Sequence, residues 1–296
     1  MIIPPFLSTG DKVGLIATAK KLDEKNTLYG IDILKSWGLD VQVGKHAFKA
    51  FHQFAGTDDQ RAQDLQHMID DPEIKAIFAA RGGYGSTRII DRIRFDMLLR
   101  HPKWICGFSD ITAILFQLYK FGVAGFHSPM PSFFHATDKK SLDFMKGCLF
   151  GEKKNINTQT HPLNRKGEAK GTLIGGNLSI ICHILGTTTE VKTNGNILFI
   201  EDVGEELYRI DRMIVQLKRA GLLRDLSGLI VGQFSEIEDD DSFGINVMEI
   251  VLAHTNEFDF PLAFDFPVGH TKENLTLPVG MEASLTINDT EVELSC

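Results

Sequence analysis

Short apolar runs alternate with amphipathic segments over the first half of the chain. Five of these runs predict buried strands, at residues 13–17, 40–43, 75–80, 104–108 and 123–126. Between the first two runs, Leu28, Ile31 and Leu34 recur at helical spacing. Thr57 and Gln60 have the spacing of a capping box ahead of a second helix. Strands that alternate with helices in this way predict an α/β domain built on a doubly wound parallel sheet.

The pattern changes from about residue 138. Residues 151–169 are polar and show no sustained periodicity, which is typical of a linker. We therefore expect an N-terminal α/β domain over residues 1–138, a linker over 139–169 and a second domain over 170–296.

The second domain combines apolar runs with segments of alternating polarity. The runs predict strands at 197–200, 229–234 and 264–268, and the spacing over 209–219 predicts a helix. Alternation in LTLPVG, ASLTI and EVEL predicts β-hairpins near the C-terminus. The acidic segment 236–241 is expected to be a solvated surface loop. This domain should be β-rich, with a mixed α/β composition.

Composition and charge exclude several classes of protein. The formal net charge of −8 and the pI of about 5.7 disfavour a nucleic-acid partner, because phosphates require a concentrated basic surface. No apolar stretch is long enough for a membrane span, and the first residues lack a signal-peptide pattern, so a cytoplasmic location is expected. The four cysteines are scattered and no HExxH motif occurs. We expect neither a metal site nor a cofactor.

A glycine-rich turn follows the predicted strand 75–80, ahead of a predicted helix that runs through Ile90. The segment is Arg81-Gly82-Gly83-Tyr84-Gly85. Its glycines allow positive φ and a close approach of the backbone, so that their N–H groups can face an anion. The alternative is a tight strand-to-helix turn that needs only flexibility. The segment is not a Walker loop, because no Lys-Ser/Thr pair follows.

Ser109 lies between the predicted strand 104–108 and the next predicted helix. A serine in such a turn projects its hydroxyl above the sheet edge, and the N–H of Asp110 then lies at a helix N-terminus that favours an oxyanion. The alternative is an ordinary N-cap serine followed by a favourable acid. Ile111 stands where the second glycine of a G-x-S-x-G elbow would be, so an ordinary α/β-hydrolase elbow is a poor match.

A serine nucleophile needs a base and a group that orients the base. Glu201 follows the predicted strand 197–200, and His270 follows the predicted strand 264–268. The carboxylate could instead start the next helix, and a lone histidine is often structural. The shared position of both residues, at the end of a strand, favours a catalytic interpretation.

With these residues in hand, the chain resembles the LD-carboxypeptidase family, the serine peptidases also called muramoyltetrapeptide carboxypeptidases. The matching segments occur in the family's order and span nearly the whole chain. They are RGGYG at 81–85, GFSDIT at 107–112, GGNL at 175–178, IEDV at 200–203, YRIDR at 208–212, and GH at 269–270 through Asn274 to PVG at 278–280. The main departure is Phe108, where many members have tyrosine.

The resemblance implies a triad of Ser109, Glu201 and His270, and an oxyanion hole from the backbone N–H groups of Asp110 and Gly83. It also implies removal of the terminal D-alanine from murein tetrapeptides during cytoplasmic peptidoglycan recycling, by a homodimer. Because the serine and its partners fall in different predicted domains, the active cleft is expected between the domains.

A free carboxylate on the leaving D-alanine requires a cation. Arg81 and Arg209 are the candidates, with Tyr84 as a further substrate-binding candidate, although either arginine could instead brace an interface. Two alternative functions stay open. One is a related hydrolase of peptidyl-nucleotide antibiotics. That branch of the family carries a longer insertion before the histidine, so the compact stretch between Glu201 and His270 disfavours it. The other is a non-enzymatic α/β protein that binds an anion at the glycine turn.

Overall fold

The computed structural model describes residues 1–152, 155–238 and 242–296. Contacts divide the chain into two compact units, Met1–Lys153 with Lys272–Gly280, and Lys154–Thr271 with Met281–Cys296. Within the described ranges, every helix is too short or too polar to cross a membrane.

The helices and strands follow one another in the order that the apolar runs predict for most of the chain. The elements before residue 152 are β1 (Lys12–Ile16), α1 (Glu24–Ser36), β2 (Asp40–Val43), α2 (Asp58–Asp70), β3 (Ile74–Ala79), α3 (Met97–Arg100), β4 (Trp104–Cys106), α4 (Thr112–Lys120), β5 (Gly125–His127) and α5 (Lys139–Leu149). Those that follow are β6 (Ile156–Gln159), β7 (Gly167–Asn177), α6 (Leu178–His183), β8 (Ile197–Val203), α7 (Leu207–Arg219), β9 (Gly228–Ser235), α8 (Val247–Thr255), β10 (Leu262–Ala263), β11 (Leu277–Val279), β12 (Glu282–Ile287) and β13 (Glu291–Ser295).

The sheet of the first unit has the strand order β11-β5-β4-β3-β1-β2. Strands β1 to β5 pair in parallel, and β11 pairs antiparallel with β5 at the edge. The doubly wound sheet predicted from the sequence is therefore confirmed. The strand order reverses between β1 and β3, and in such sheets ligands bind outside the carboxyl ends of the strands near that point. The turns that follow β1, β3 and β4 lie at this edge.

The second unit contains a mixed sheet with the order β10-β9-β8-β7-β12-β13-β6. Strands β7 to β10 pair in parallel, whereas β12 and β13 form an antiparallel hairpin that joins β7 to β6. The long strand β7 belongs to both parts, since its first half pairs with β12 and its second half with β8. The expectation of a β-rich mixed α/β second domain is thus confirmed.

The structure differs from the predicted linker at 139–169. Helix α5 begins at Lys139, with Asp138 as its N-cap, and strand β6 and the start of β7 also fall within the segment. Met145 and Leu149, one helical turn apart, are buried on α5. A single narrow apolar face on a polar helix leaves a weak periodic signal, so the helix was not predicted from the pattern.

Three further local predictions are wrong. Residues 264–268 form no strand, although the backbone there bonds to β9 through Gln233 N to Val268 O at 2.8 Å. The LTLPVG run contributes β11 to the first unit instead of a hairpin in the second. The glycine turn leads into two short 3₁₀ turns, Ser86–Arg88 and Ile90–Arg92, instead of an α-helix. The acidic segment 236–241 extends beyond the described residues, which end at 238 there.

A buried lysine supports the C-terminal end of α2. The Lys103 side chain is fully buried, and its Nζ donates to the main-chain oxygens of Met68 at 2.9 Å, Ile69 at 3.0 Å and Asp71 at 2.6 Å. Burial lowers the pKa of this amine to about 8. The ammonium provides hydrogen bonds that the helix cannot provide for its own last carbonyls.

Replacing this lysine should destabilise the protein. Lys103→Met leaves three carbonyl oxygens without their donor, and we expect a loss of about 2–4 kcal/mol in the free energy of unfolding. Urea unfolding at pH 7 measures the change. Lys75→Met is the matched control, because Lys75 is exposed and its Nζ bonds, among the described residues, to Pro72 O alone, at 3.1 Å. This variant should leave the unfolding midpoint unchanged. A Lys103→Met protein as stable as the control would contradict the assignment.

Candidate active site

Ser109 adopts a backbone conformation that L-residues rarely adopt. It follows β4 by three residues, has φ of +62° and opens a 3₁₀ turn, Ser109–Ile111, that continues into α4. A non-glycine residue at such a φ costs on the order of 1–3 kcal/mol and is most often found at functional sites. Ser109 is partly exposed, whereas its neighbours Phe108 and Asp110 are buried. The strand-turn-helix context predicted for this serine is present.

The glycine turn after β3 passes directly beside this serine. A Cβ on Gly82 would lie 3.2 Å from Ser109 Cβ and 3.4 Å from Phe108 O. Gly83 has φ of +115°, and a Cβ there would meet the side chain of Lys20 at 2.7 Å. Only glycine fits these two positions without displacing a neighbour.

Two backbone donors on these adjacent turns lack an acceptor among the described residues. Over the described ranges, the N–H groups of Gly83 and Asp110 have no protein acceptor. The Asp110 side chain is buried, and its Oδ2 accepts a hydrogen bond of 2.8 Å from Ser86 N. Burial raises the pKa of this carboxyl. Hydrogen bonds from Ser86 and Gly85 and the charge of Arg61 lower it, but burial is the larger effect. The turns after β3 and β4 are thus tied together next to Ser109.

In the second unit, Glu201 and His270 form a hydrogen-bonded pair. Glu201 Oε2 lies 2.7 Å from His270 Nδ1. The carboxylate is fully buried and the imidazole is 19% exposed. Because a carboxylate only accepts, Nδ1 carries the proton, and Nε2 of a neutral ring is then the basic nitrogen. The pair has the geometry by which a carboxylate orients a catalytic imidazole.

Glu201 lies within β8, and not beyond its end as the sequence predicts. Strand β8 continues to Val203 because Asp202 and Val203 still pair with β9. The pairing register shifts between Ile200 and Asp202, where Glu201 stands. Irregularities of this kind re-aim a side chain and are common next to active sites.

Gly269 is the residue that allows His270 to approach Glu201. Its φ is +135°, and a Cβ there would lie 2.9 Å from Gln233 O and 3.2 Å from Glu201 Cβ. Gly269 therefore lies against both β9 and the Glu201 side chain. A larger residue at this position would require Gln233 O to shift and would press on the Cβ of Glu201.

The electrostatic surroundings favour a charged imidazole. Burial lowers the pKa of His270, but the hydrogen bond and charge of Glu201, with the charges of Asp202 and Glu236, outweigh it and raise the pKa above 6.5. An imidazolium formed in the reaction would be stabilised in the same way.

Asp202 has a different role from Glu201. Its Oδ1 accepts from Asn177 Nδ2 at 2.8 Å and from Val203 N at 2.9 Å, and its Oδ2 accepts from Ser179 N at 2.8 Å. Burial and the charge of Glu201 raise its pKa to about 6. Asp202 therefore holds the N-terminus of α6, and of the two adjacent acids only Glu201 is paired with the histidine.

The candidate substrate-binding residues differ in how many hydrogen bonds and ion pairs their side chains already make within the protein. Arg81, half-buried, donates from Nη1 to Lys21 O at 3.3 Å. Arg209 donates to Tyr208 Oη at 3.1 Å and lies 3.5 Å from the carboxylate of Glu206. The Tyr84 side chain is 43% exposed. Arg81 thus borders the glycine turn directly, whereas Arg209 is already paired on the surface of α7.

Both units match one family of known proteins. The LD-carboxypeptidase N-terminal domain matches residues 13–128, and the LD-carboxypeptidase C-terminal domain matches residues 170–285. Together these matches cover most of the chain and define a peptidase family. The chain belongs to the LD-carboxypeptidase family, as the resemblance in its motifs predicts.

Individual relatives cover almost the whole chain. A putative carboxypeptidase of Synechocystis is 37% identical, with 95% of this chain and 93% of the relative covered. A probable murein peptide carboxypeptidase of Bacillus subtilis is also 37% identical, over 95% of this chain and 91% of the relative. The crystal structure of muramoyltetrapeptide carboxypeptidase from Oxalobacter formigenes superposes with a TM-score of 0.89 at 29% identity, over 96% of this chain and 97% of that chain.

The microcin C7 self-immunity protein MccF has a similar fold. In its wild-type apo state it matches with a TM-score of 0.90 at 23% identity, over 100% of this chain and 99% of that chain. At this identity the similarity shows a shared fold alone.

A substitution at Gly269 should break the Glu201–His270 pair. In Gly269→Ala the added methyl group meets Gln233 O and Glu201 Cβ, so we expect a loss of about 2–4 kcal/mol in stability. The hydrogen-bonded Nδ1–H proton signal of His270 should also disappear from the NMR spectrum. Gly204→Ala is the matched control, because its φ is +68° and nothing lies within 4 Å. That control should cost about 1–2 kcal/mol and keep the signal. An intact signal in Gly269→Ala would refute this role.

Proposed function

We propose that the protein is a serine-type LD-carboxypeptidase that removes the terminal D-alanine from murein tetrapeptides. The observation that carries the proposal is the 2.7 Å hydrogen bond between Glu201 and His270. The strained Ser109 beside a glycine turn supports it, and so does membership of the LD-carboxypeptidase family. A homodimer and a place in cytoplasmic peptidoglycan recycling follow from the resemblance and stay predictions.

The proposed reaction is acyl transfer through Ser109. Its Oγ attacks the carbonyl carbon of the amide before D-alanine, while His270 Nε2 takes the hydroxyl proton. Glu201 holds the ring through Nδ1 and stabilises the imidazolium that forms. The tetrahedral intermediate then collapses, the C–N bond breaks, and His270 gives the proton to the departing amine. Water, deprotonated by the same histidine, hydrolyses the acyl-enzyme and restores Ser109.

The negative charge of the intermediate needs fixed donors. We propose the N–H groups of Asp110 and Gly83 for this role, because Asp110 follows Ser109 and Gly83 follows Gly82, which packs against Ser109, and neither N–H has an acceptor over the described ranges. Asp110 also stands at the start of the helical segment, where the dipole favours negative charge. Backbone donors held in place before the reaction cost no reorganisation when the oxyanion develops.

Arg81 is the better candidate for binding the carboxylate of the leaving D-alanine. It precedes Gly82, which packs against Ser109. Within the described part of the chain its guanidinium makes one hydrogen bond, from Nη1, which leaves most of its donors for a ligand. Arg209 already bonds Tyr208 and Glu206. Tyr84 lies two residues beyond Gly82 on the same turn and is exposed enough to contact a peptide. A planar guanidinium can hold a carboxylate with two parallel hydrogen bonds.

Removing the Ser109 hydroxyl should abolish turnover without unfolding the protein. For Ser109→Ala we expect kcat on a murein tetrapeptide ending in D-alanine to fall about 10⁴–10⁶-fold, since no nucleophile remains. Mass spectrometry of the peptide before and after incubation measures the loss of D-alanine. Ser8→Ala, at an exposed position, is the control and should keep full activity. Turnover above about a tenth of wild type in Ser109→Ala would refute the nucleophile.

The same assay separates the alternative functions. A hydrolase of peptidyl-nucleotide antibiotics would cleave an aminoacyl-nucleotide amide and leave the murein tetrapeptide intact. A non-enzymatic binding protein would cleave neither substrate, and a serine-directed phosphonate would not label it. The proposal requires cleavage of the murein peptide with loss of D-alanine.

The pH dependence of activity should reflect His270. Only the neutral ring accepts the serine proton, so kcat/KM should rise with pH through the pKa of His270, with a midpoint above 6.5. In Glu201→Gln the main partner that raises this pKa is lost while burial remains, so the midpoint should move to lower pH. The pH dependence of phosphonate labelling measures both proteins. An unchanged midpoint in Glu201→Gln would contradict the pairing.

A further inference from the structure

A fully buried guanidinium lies against the backbone of the glycine turn. Arg61 of α2 is 1% exposed. Its Nη1 donates to Gly85 O at 3.0 Å and also to Thr18 O, and its Nη2 pairs with Asp58. One side chain thereby joins the segment after β1 to the turn after β3.

The connection continues to the residue next to Ser109. Thr18 Oγ1 lies 2.8 Å from Ser86 Oγ, and Ser86 N donates to Asp110 Oδ2 at 2.8 Å. All of these groups are buried. A continuous polar network therefore runs from Arg61 through the ends of β1 and β3 to the turn after β4.

The fit between Arg61 and the turn is close. A Cβ on Gly85 would lie 2.6 Å from Arg61 Nη1 and 2.9 Å from Ala19 Cα. With φ of +152°, Gly85 also has a conformation that favours glycine. The turn and the guanidinium can occupy their positions together only because no side chain is present at residue 85.

Stability alone does not account for this cation. Arg61 Nε has no hydrogen-bond acceptor in the described part of the chain. Burying a charge is unfavourable unless all its groups are satisfied, and apolar residues of similar volume often give an equally stable core. The planar guanidinium holds Thr18 O and Gly85 O through Nη1 and the Asp58 carboxylate through Nη2. An apolar residue makes none of these bonds, and the single ammonium group of lysine lacks the rigid plane that fixes the three partners relative to one another.

We propose that Arg61 is a positioning residue for the reaction. It fixes the Gly82–Gly85 turn so that the N–H of Gly83 points to the place where the oxyanion develops beside Ser109. The inference rests on the proposed function, and it adds a residue outside the triad on which transition-state stabilisation depends. Since the effect is on the intermediate and not on the bound substrate, loss of Arg61 should lower kcat and leave KM nearly unchanged.

Arg61→Lys tests the inference, with Arg88→Lys as the matched control. Arg88 also bonds the carboxylate of Asp58, at 2.7 and 3.0 Å, and it lies over the Phe54 ring at 5.2 Å, where Arg61 lies at 4.8 Å. Arg88 is exposed, however, and it bonds Gly85 O only through its main-chain N–H, at 3.2 Å, which a lysine retains. The two variants share Asp58 and Phe54 as side-chain partners, and they differ in the side-chain bonds that Arg61 alone donates to Thr18 O and Gly85 O.

For Arg61→Lys we expect kcat on the murein tetrapeptide to fall about tenfold to a hundredfold. This is less than the roughly 10²–10³-fold loss on removal of an oxyanion donor, because the Gly83 N–H is displaced and not removed. The rate of phosphonate labelling at Ser109 should fall in parallel, because the phosphonate adduct resembles the tetrahedral intermediate. KM should stay within about threefold, and Arg88→Lys should keep kcat within about twofold. Circular dichroism confirms that each protein is folded at the assay temperature.

Three results would overturn the inference. One is an Arg61→Lys protein with kcat within about twofold of wild type. Another is an equal loss in Arg88→Lys, because the effect would then run through Asp58. The third is failure of both Arg61→Lys and Arg61→Gln to fold, which would assign the guanidinium to the fold as a whole. Failure of the proposed function is distinguishable, since wild type itself would then release no D-alanine from the murein tetrapeptide.

Discussion

The approach of the glycine turn after β3 to the serine turn after β4 is the constraint on which the candidate site depends. A Cβ on Gly82 would stand 3.2 Å from that of Ser109, and Ser109 itself has φ of +62°. Neighbouring parallel strands bring the two turns to one sheet edge, and the absence of a side chain at Gly82 lets their backbones close on each other. A strained serine persists only where its surroundings determine its conformation. Here the Ser86–Asp110 hydrogen bond and the buried Arg61 provide those surroundings.

In the second unit, Glu201 and His270 are also held in fixed positions, but by a strand irregularity and a glycine instead of two adjoining turns. Glu201 is placed inside a strand, at a shift in pairing register, and is buried completely. His270 reaches it from a segment without regular structure, next to a glycine whose φ is positive. The adjacent Asp202 is taken up by the start of α6. Two neighbouring carboxylates thus have separate roles, because only one of them faces the imidazole.

Sequence patterns within a few residues predict most of the strands and turns around the candidate site. The features that they do not predict depend on contacts between residues far apart in the sequence. The strands of the first sheet, the capping box of Thr57 with Gln60, and the turn at Ser109 each leave a signal within a few residues. Strand β11 pairs with β5 from about 150 residues away, and no periodicity in LTLPVG specifies that partner. Arg61 and Lys103 are buried although charged residues are mostly exposed, so composition gives no indication of their positions. The fit of Gly269 against Glu201 likewise depends on two segments distant in sequence.

Acylation of Ser109 during turnover is the step on which the proposed mechanism depends. The direct measurement is rapid acid quenching of the protein during hydrolysis of a murein tetrapeptide that ends in D-alanine, followed by mass spectrometry of its proteolytic peptides. We predict a transient adduct, with the mass of the acyl part of the substrate, on the peptide that contains Ser109. Release of D-alanine with the adduct on another residue, or with no adduct at any quench time, would contradict the account.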